Sequence, residues 1–261
     1  MTKITVSSLN CQGLGDFRKR RDVFHYLKSK SHCIYCLQDT HFSEKLEKYI
    51  SSEWGYTCFF ASYKSNARGV TILFNNNFEF KIKKVEKDTE GNYIIILLNV
   101  MERDIVLVNI YGPNKDSPDY YKQLKERICQ YDTESFIIVG DWNLVLDPIY
   151  DYDNYKNVNN TRAREEVENM MFELNLTDIW RENNPQMKRF TWRRTSPLKQ
   201  SRLDFFLLSE NLIWYYENSD IIPGCRSDHS MITLELKFGK DIKRNTFWQF
   251  HCSLLKEKQY V

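Results

Sequence analysis

Short runs of β-branched and aromatic residues alternate with polar, turn-forming stretches along nearly the whole chain. Such runs fall at Ile4 to Leu9, Cys33 to Gln38, Thr57 to Ala61, Val70 to Phe74, Phe78 to Val85, Tyr93 to Val100, Ile105 to Tyr111, Phe136 to Val139, Arg202 to Leu208 and Met231 to Leu236. Their length and composition predict about ten strands. Helical spacing is clearest after Ser117-Pro118-Asp119, which supplies an N-cap, a proline at the first helical position and an acid in the first turn, and then puts Tyr121, Leu124 and Ile128 on one stripe. A second helix is predicted from Thr161 to about Asn175 with Val167, Met170, Met171 and Leu174 inward, and a weaker third over Lys19 to Lys30. Many short strands with few helices bury best as packed sheets covered by helices, an α/β or α+β sandwich.

No repeat, low-complexity run or Pro/Gly-rich linker divides the chain before Lys237, so residues 1–237 read as one domain. The tail, 238–261, changes to Gly239-Lys240-Asp241-Ile242-Lys243-Arg244 followed by Trp248, Phe250, Leu254 and Leu255, a tether carrying a small apolar segment. With 261 residues, 42% of them hydrophobic, the chain can bury a core without cross-links, which excludes a disordered or mini-scaffold class. Its net charge of +2 sets up no global field, so any nucleic-acid partner must be argued from a local patch. The seven cysteines are odd in number and scattered, and no signal peptide precedes the first apolar run, which points to a reducing compartment. Cys33 and Cys36 form a lone C-x-x-C on a predicted strand, facing opposite sides, and read as core. No apolar stretch approaches the roughly 20 residues of a membrane span, and no membrane partner is expected.

The chemistry lies where apolar runs end abruptly in polar residues. Ile4 to Leu9 ends in Asn10, Ile34 to Leu37 in Gln38-Asp39, Ile105 to Ile110 in Tyr111-Gly112-Pro113-Asn114, and Phe136 to Gly140 in Asp141-Trp142-Asn143. Asn and Asp are common turn formers, so Asn10 or Asn114 alone carries little. Asp204 differs, because a carboxylate between Leu203 and Phe205 in a buried run needs a partner, and His229 of Ser227-Asp228-His229 is chemically suited. Asp39, Asp141 and Asp228 with Asn10 and Asn143 make an all-oxygen donor set, the preference of Mg²⁺ rather than zinc.

Six segments in this order, Ser8-Leu9-Asn10, Leu37-Gln38-Asp39-Thr40-His41, Asn109 to Asn114, Gly140 to Asn143, Arg202-Leu203-Asp204 and Ser227-Asp228-His229, resemble the exonuclease/endonuclease/phosphatase superfamily of the apurinic/apyrimidinic endonucleases and DNase I. Within it, Asp141 to Asn160, Phe190 to Leu208 and Phe247 to Val261 look most like the N-terminal endonuclease domain of LINE-type non-LTR retrotransposon polyproteins, where the tail is similar to the linker toward a reverse transcriptase. Two departures stand out. The family's metal-binding acid is usually Glu but is here Asp39, and the acid that repair enzymes carry two residues after the Asn is here Gln12.

The resemblance implies a four-layered sandwich of two packed β-sheets flanked by helices. It also implies a Mg²⁺-dependent endonuclease, with Mn²⁺ as a substitute, that nicks double-stranded DNA and leaves a 3′-hydroxyl to prime reverse transcription. On this reading Asp204 orients His229, and His229 or Asp141 activates water. Asn143 fixes that water or a phosphate oxygen, Tyr111 and Asn10 add hydrogen bonds where negative charge grows, and Asp39, with Asn10 and Asp228, holds the metal. Asn114, Arg189, Thr191, Trp192, Arg193, Arg194 and Arg202 would face DNA; residues 188–202 carry six basic residues and no acid. Partners would be DNA and a downstream reverse transcriptase, with synthesis in the cytoplasm and action in the nucleus. An abasic-site repair endonuclease and a catalytically inactive DNA-binding domain are the alternatives. Arg18-Lys19-Arg20-Arg21 reads as a solvated first helical turn rather than an import or phosphate patch.

Overall fold

The computed structural model describes residues 2–154 and 160–239. The chain begins with β1 (Thr2–Asn10), α1 (Phe17–Lys30), β2 (Ile34–Gln38), α2 (Glu44–Trp54), β3 (Cys58–Ala61) and β4 (Val70–Phe74). There follow β5 (Lys81–Lys87), β6 (Tyr93–Val100), β7 (Arg103–Tyr111), α3 (Pro118–Ile128), β8 (Phe136–Asp141), β9 (Tyr152–Asp153), α4 (Thr161–Glu173) and β10 (Leu176–Asp178). It closes with α5 (Ile179–Asn183), β11 (Trp192–Thr195), β12 (Leu198–Ser201), β13 (Asp204–Ser209), α6 (Glu210–Ile213), β14 (Tyr216–Ile222) and β15 (Met231–Phe238).

Two six-stranded sheets, in the orders β14-β15-β1-β2-β4-β3 and β10-β13-β8-β7-β6-β5, pack face to face. Strand periodicity explains the layering, because alternate residues go to different cores. Ile4, Val6, Ile34, Cys36, Ile72 and Phe74 meet Ile94, Ile96, Leu107, Ile137, Val139, Phe206 and Leu208 between the sheets. Tyr35 and Leu37, on the other face of β2, pack with Val23, Phe24 and Leu27 of α1 and Ile50 and Trp54 of α2. Val106, Val108, Ile138, Phe205 and Leu207 turn outward onto Tyr121, Leu124 and Ile128 of α3 and Ala163, Val167 and Met170 of α4. Helix, sheet, sheet and helix give the four-layered α/β sandwich that the resemblance implied.

Each predicted strand appears, although the run from Phe78 becomes regular only at Lys81. The α3 stripe is buried as spaced, and Met171 and Leu174 pack against the same core from partly buried positions. α2, the small sheet β11-β12-β9 and the edge strand β14 add to the sequence reading. The structure corrects two assignments. Cys33 and Cys36 are buried free thiols on the same core between the sheets, because Cys33 precedes β2 rather than lying in it. Arg20 is not part of a solvated turn: it is buried, with Nε 2.7 Å from Glu53 and a bond to the Leu14 carbonyl. Strand β15 extends to Phe238, and the tail from residue 240 lies outside the described residues.

Strand direction gathers the polar ends at one edge. β1 runs parallel to β2 and β7 parallel to β8, so Asn10 pairs with Gln38 and Tyr111 with Asp141 at the C-terminal ends of four strands. β13 is antiparallel to β8 and therefore starts there, with Asp204 opposite Asp141. β15 is antiparallel to β1, and the segment entering it carries Asp228 and His229 to the same place.

Candidate active site

Asp141 ends β8 beside Tyr111 at the end of β7, and the approach of the two strands requires a glycine at the preceding position, opposite Ile110. A Cβ on Gly140, at φ +150°, would lie 2.0 Å from the Ile110 carbonyl oxygen. Asp141 Oδ2 accepts from Asn10 Nδ2 at 2.7 Å, and Oδ1 from the Asn143 backbone N–H at 2.9 Å. Asn143, at φ +50°, turns its side-chain amide back onto the Gly112 carbonyl at 2.8 Å. His229 Nδ1 is 2.8 Å from Asp204 Oδ2, while Nε2 lies 3.8 Å from Asp141 Oδ2. The imidazole thus bridges two strand-borne carboxylates. Ser227 fixes the approach, donating to the Asn10 carbonyl at 2.7 Å and accepting from the His229 backbone N–H at 3.1 Å.

Burial first, and then the Asp204 charge, push the Asp141 carboxyl up to about 7, against the pull of His229, Asn10 and Asn143. For His229, burial opposes the charged ring, and Asp204, Asp141 and Asp228 overcome it, raising the imidazolium to about 9. Tyr111 is pushed up by burial and then by Asp39 and Asp141, which keeps its phenol a neutral donor near Asn114 and Asn143.

A cavity of about 340 Å³ opens over this edge, and Asn10, Asp39, Tyr111, Asn114, Asp141, Asn143, Trp192, Asp228 and His229 all line it. Asp204 sits behind, 1% exposed, with Oδ1 lacking any hydrogen bond. Asp228 is exposed and accepts from Trp192 Nε1 at 2.9 Å. Asp39 accepts on Oδ1 from His41 Nε2 and from the Arg68 backbone N–H.

Two donor groupings can hold a cation. Ligand atoms of Asp141, Asp204 and His229 lie within 4.8 Å of one another. A second set, Asp39, Asn10 and Asp228, lines the open cavity and offers oxygen donors, the type a hard divalent ion takes, although Asn10 Oδ1 there accepts from the Gln12 N–H at 3.0 Å.

Two DNA-facing assignments are corrected. Arg202 is 1% exposed because it is held by Asp151 and Asp178 from distant parts of the chain: Nε is 2.7 Å from Asp151 Oδ1 and Nη2 2.5 Å from Asp178 Oδ2. Thr191 is buried too, and its hydroxyl accepts from the backbone N–H groups of Leu203 and Asp204, so it sets the entry to β13. Arg189 spends part of its guanidinium on Asp220 at 2.7 Å and on the Ile221 carbonyl. Arg193, Arg194 and Asn114 are exposed. Sequence reasoning assigned no role to Ser227, His41, Tyr152 or Asn160. Ser227 and His41 stood inside the six segments, and Tyr152 and Asn160, which line the cavity, fell in the Asp141 to Asn160 stretch without being singled out.

The site is a buried carboxylate–imidazole–carboxylate bridge at the open edge of a two-sheet sandwich. The chain belongs to the Endonuclease/Exonuclease/phosphatase family, whose pattern matches residues 7–229. It is thus a hydrolase acting on phosphodiester bonds or phosphates, in a family whose enzymes use divalent metals. It is 26% identical over 267 residues to the "Transposon TX1 uncharacterized 149 kDa protein" of Xenopus laevis, a match covering 99% of this chain and 20% of that protein. The chain therefore spans about a fifth of that relative's length. Its fold is similar to the AP endonuclease LMAP from Leishmania major, with a TM-score of 0.79 and 17% identity over 91% of this chain and 88% of that one. It is also similar to the 3′ phosphatase NExo from Neisseria bound to a product DNA hairpin, with a TM-score of 0.71 and 19% identity over 90% and 100% of the two chains. Among the described residues no helix is long and apolar enough to cross a membrane.

Proposed function

We propose that the chain is a Mg²⁺-dependent DNA endonuclease of a mobile element. It nicks double-stranded target DNA and leaves a 3′-hydroxyl for a reverse transcriptase encoded downstream in a longer polyprotein, acting in the nucleus after synthesis in the cytoplasm. The observation that carries this reading is the convergence of six distant segments on one cavity, with His229 Nδ1 2.8 Å from Asp204. The likeness to a transposon protein over 99% of the chain supports the biological setting.

Hydrolysis proceeds by attack of water on phosphorus and rupture of the P–O3′ bond. Asp141 takes the water's proton, its Oδ2 fixed by Asn10 and its Oδ1 by the Asn143 N–H. Asp204 binds Nδ1 of His229, which leaves Nε2 as the ring's donor to a phosphate oxygen, and the raised imidazolium keeps that donor charged. Tyr111 and Asn143 add hydrogen bonds where charge grows on the leaving 3′ oxygen, which takes a proton from solvent. The products are a 3′-hydroxyl and a 5′-phosphate. Asp39, with Asn10 and Asp228, would hold Mg²⁺ or its substitute Mn²⁺, which supplies Lewis-acid charge to the phosphate and the leaving oxygen. Arg193 and Arg194, exposed on β11, contact the phosphate backbone, with Trp192 at the cavity mouth beside the scissile bond.

Abasic-site repair is the second reading, supported by the likeness to an AP endonuclease. Gln12, which lines the cavity where repair enzymes carry an acid, argues against it. Supercoiled plasmid and an abasic duplex, each with Mg²⁺ or chelator, separate the readings. Metal-dependent relaxation of intact plasmid is expected. Abasic cleavage without plasmid nicking would establish the repair reading instead.

A further inference from the structure

His41 follows Asp39 by two residues, and hydrolysis requires none of its atoms to touch the substrate. Its Nε2 lies 3.0 Å from Asp39 Oδ1, and the Arg68 backbone N–H reaches that same oxygen at 3.2 Å. An ionised carboxylate only accepts, so Nε2 carries the proton and the imidazole is a donor to Asp39 rather than a ligand in its own right. Two donors occupy Oδ1, while Oδ2 receives no hydrogen bond among the described residues and Asp39 lines the cavity.

The ring is itself fixed from both sides. The loop after β2 is laced to the segment before β4 by Thr40 N–H to the Gly69 carbonyl at 3.0 Å and His41 N–H to the Arg68 carbonyl at 2.8 Å. On the opposite side, the Gly13 N–H binds the Asp39 carbonyl at 2.7 Å and the Leu14 N–H binds that of Thr40 at 2.8 Å. Gly13, at φ +82°, lies so close that a Cβ there would be 2.8 Å from His41 Nδ1. Asp39, His41 and Arg68 all adopt left-handed backbone, with φ of 51°, 57° and 56°. L side chains take that conformation reluctantly, so the surrounding bonds hold these residues in it.

We infer that His41 is a positioning residue for metal binding: by capturing Oδ1 it presents Oδ2 of the short Asp39 side chain to a divalent cation. Partners that orient a ligating carboxylate commonly matter almost as much as the ligand. The inference rests on the reading of Asp39 as a ligand, and it gives a reason why this chain functions with Asp where the resemblance leads one to expect the longer Glu.

The test is Mn²⁺ affinity of the intact chain without DNA, read by electron paramagnetic resonance of free Mn²⁺ alongside thermal melting. His41→Ala is expected to weaken binding about 10–100-fold. His41→Phe, which keeps a ring between Gly13 and Asp39 but loses the N–H, should weaken it equally, whereas His41→Gln, which keeps a donor, should regain most of the affinity. In an Asp39→Glu background the longer side chain should make His41→Ala much less damaging. Wild-type affinity in folded His41→Ala or His41→Phe, with affinity lost in Asp39→Asn, would overturn the role of His41 alone. Wild-type affinity in Asp39→Asn would remove Asp39 from the ligand set and overturn the inference together with that reading.

Discussion

Asp204 and Asp141 stand directly opposite one another in the antiparallel β8–β13 ladder, both 1% exposed, with the His229 ring bridging the two. Like charges so placed repel, and burial makes the repulsion worse. The arrangement is tolerable because a shared imidazolium answers both carboxylates and because Asp141 holds its proton to an unusually high pH. The pair is thus a strain built into the folded state at the candidate site.

The first consequence is a stability that declines with rising pH in the metal-free protein. His229 has its folded value raised to about 9, so its contribution is complete below the unfolded imidazole value and is lost as pH climbs through the folded one. Asp141, raised to about 7, acts with the same sign. The urea midpoint should therefore fall between about pH 6 and pH 9, and Asp204→Asn should flatten the slope. Proton NMR of the His229 ring should show its titration well above the ordinary imidazole value, falling toward that value in Asp204→Asn.

Asp151 behaves in the opposite sense. Burial raises its carboxyl, but the guanidinium groups of Arg202 and Arg181 outweigh that and hold it below the usual range. Its stabilisation is present above the unfolded carboxylate value and is lost as pH falls through the depressed one. Acid unfolding of Asp151→Asn, followed by circular dichroism, should begin from a lower starting stability and show a shallower loss at the acid end.

Arg202 and Arg193 should part company under mutation. Arg202→Ala strips Asp151 and Asp178 of the buried cation they share and should cost about 3–5 kcal/mol of stability, measured by urea unfolding. Arg193→Ala and Arg194→Ala remove exposed charges and should leave melting unchanged. They should weaken DNA binding and lower its salt slope by about one for each phosphate no longer neutralised, measured by fluorescence anisotropy over a salt series.

These two arginines show what local reading can and cannot reach. The central strands of the two large sheets were legible because burial on both faces leaves unbroken apolar runs, as in Ile94-Ile95-Ile96. β11 and β12 read Trp-Arg-Arg-Thr and Leu-Lys-Gln-Ser, an exposed hairpin with no apolar face to betray it. α2 buries only Ile50 and Trp54, too few for a visible stripe, and β14 is an edge strand with polar residues through its middle. Six segments of the site were legible because four put polar residues at the end of a buried run and two put them at the start of one. The role of Arg202 was not, because its acids come from Asp151 and Asp178, far away in sequence, while the stretch that leads up to it, 188–201, holds basic residues and no acid. Likewise the burial of Thr191 follows from the turn into β13, which only the assembled backbone reveals.

Tyr111→Phe keeps the ring in place at the cavity wall and removes one neutral donor. It should lower kcat by about 10²-fold with little change in KM, measured under single-turnover conditions. The nick itself should carry a 3′-hydroxyl. DNA polymerase should extend it without prior phosphatase treatment, as checked by primer extension on nicked plasmid.

Central to all of this is the bond between His229 and Asp204 at the open edge of the sandwich. The most direct measurement is the Mg²⁺-dependent single-turnover cleavage rate of a DNA duplex by wild type, His229→Ala and Asp204→Asn, each confirmed to be folded. A loss of about 10³-fold or more in both variants is the expected result, with chelator abolishing the wild-type rate. Cleavage by folded His229→Ala at a rate close to wild type would contradict the account.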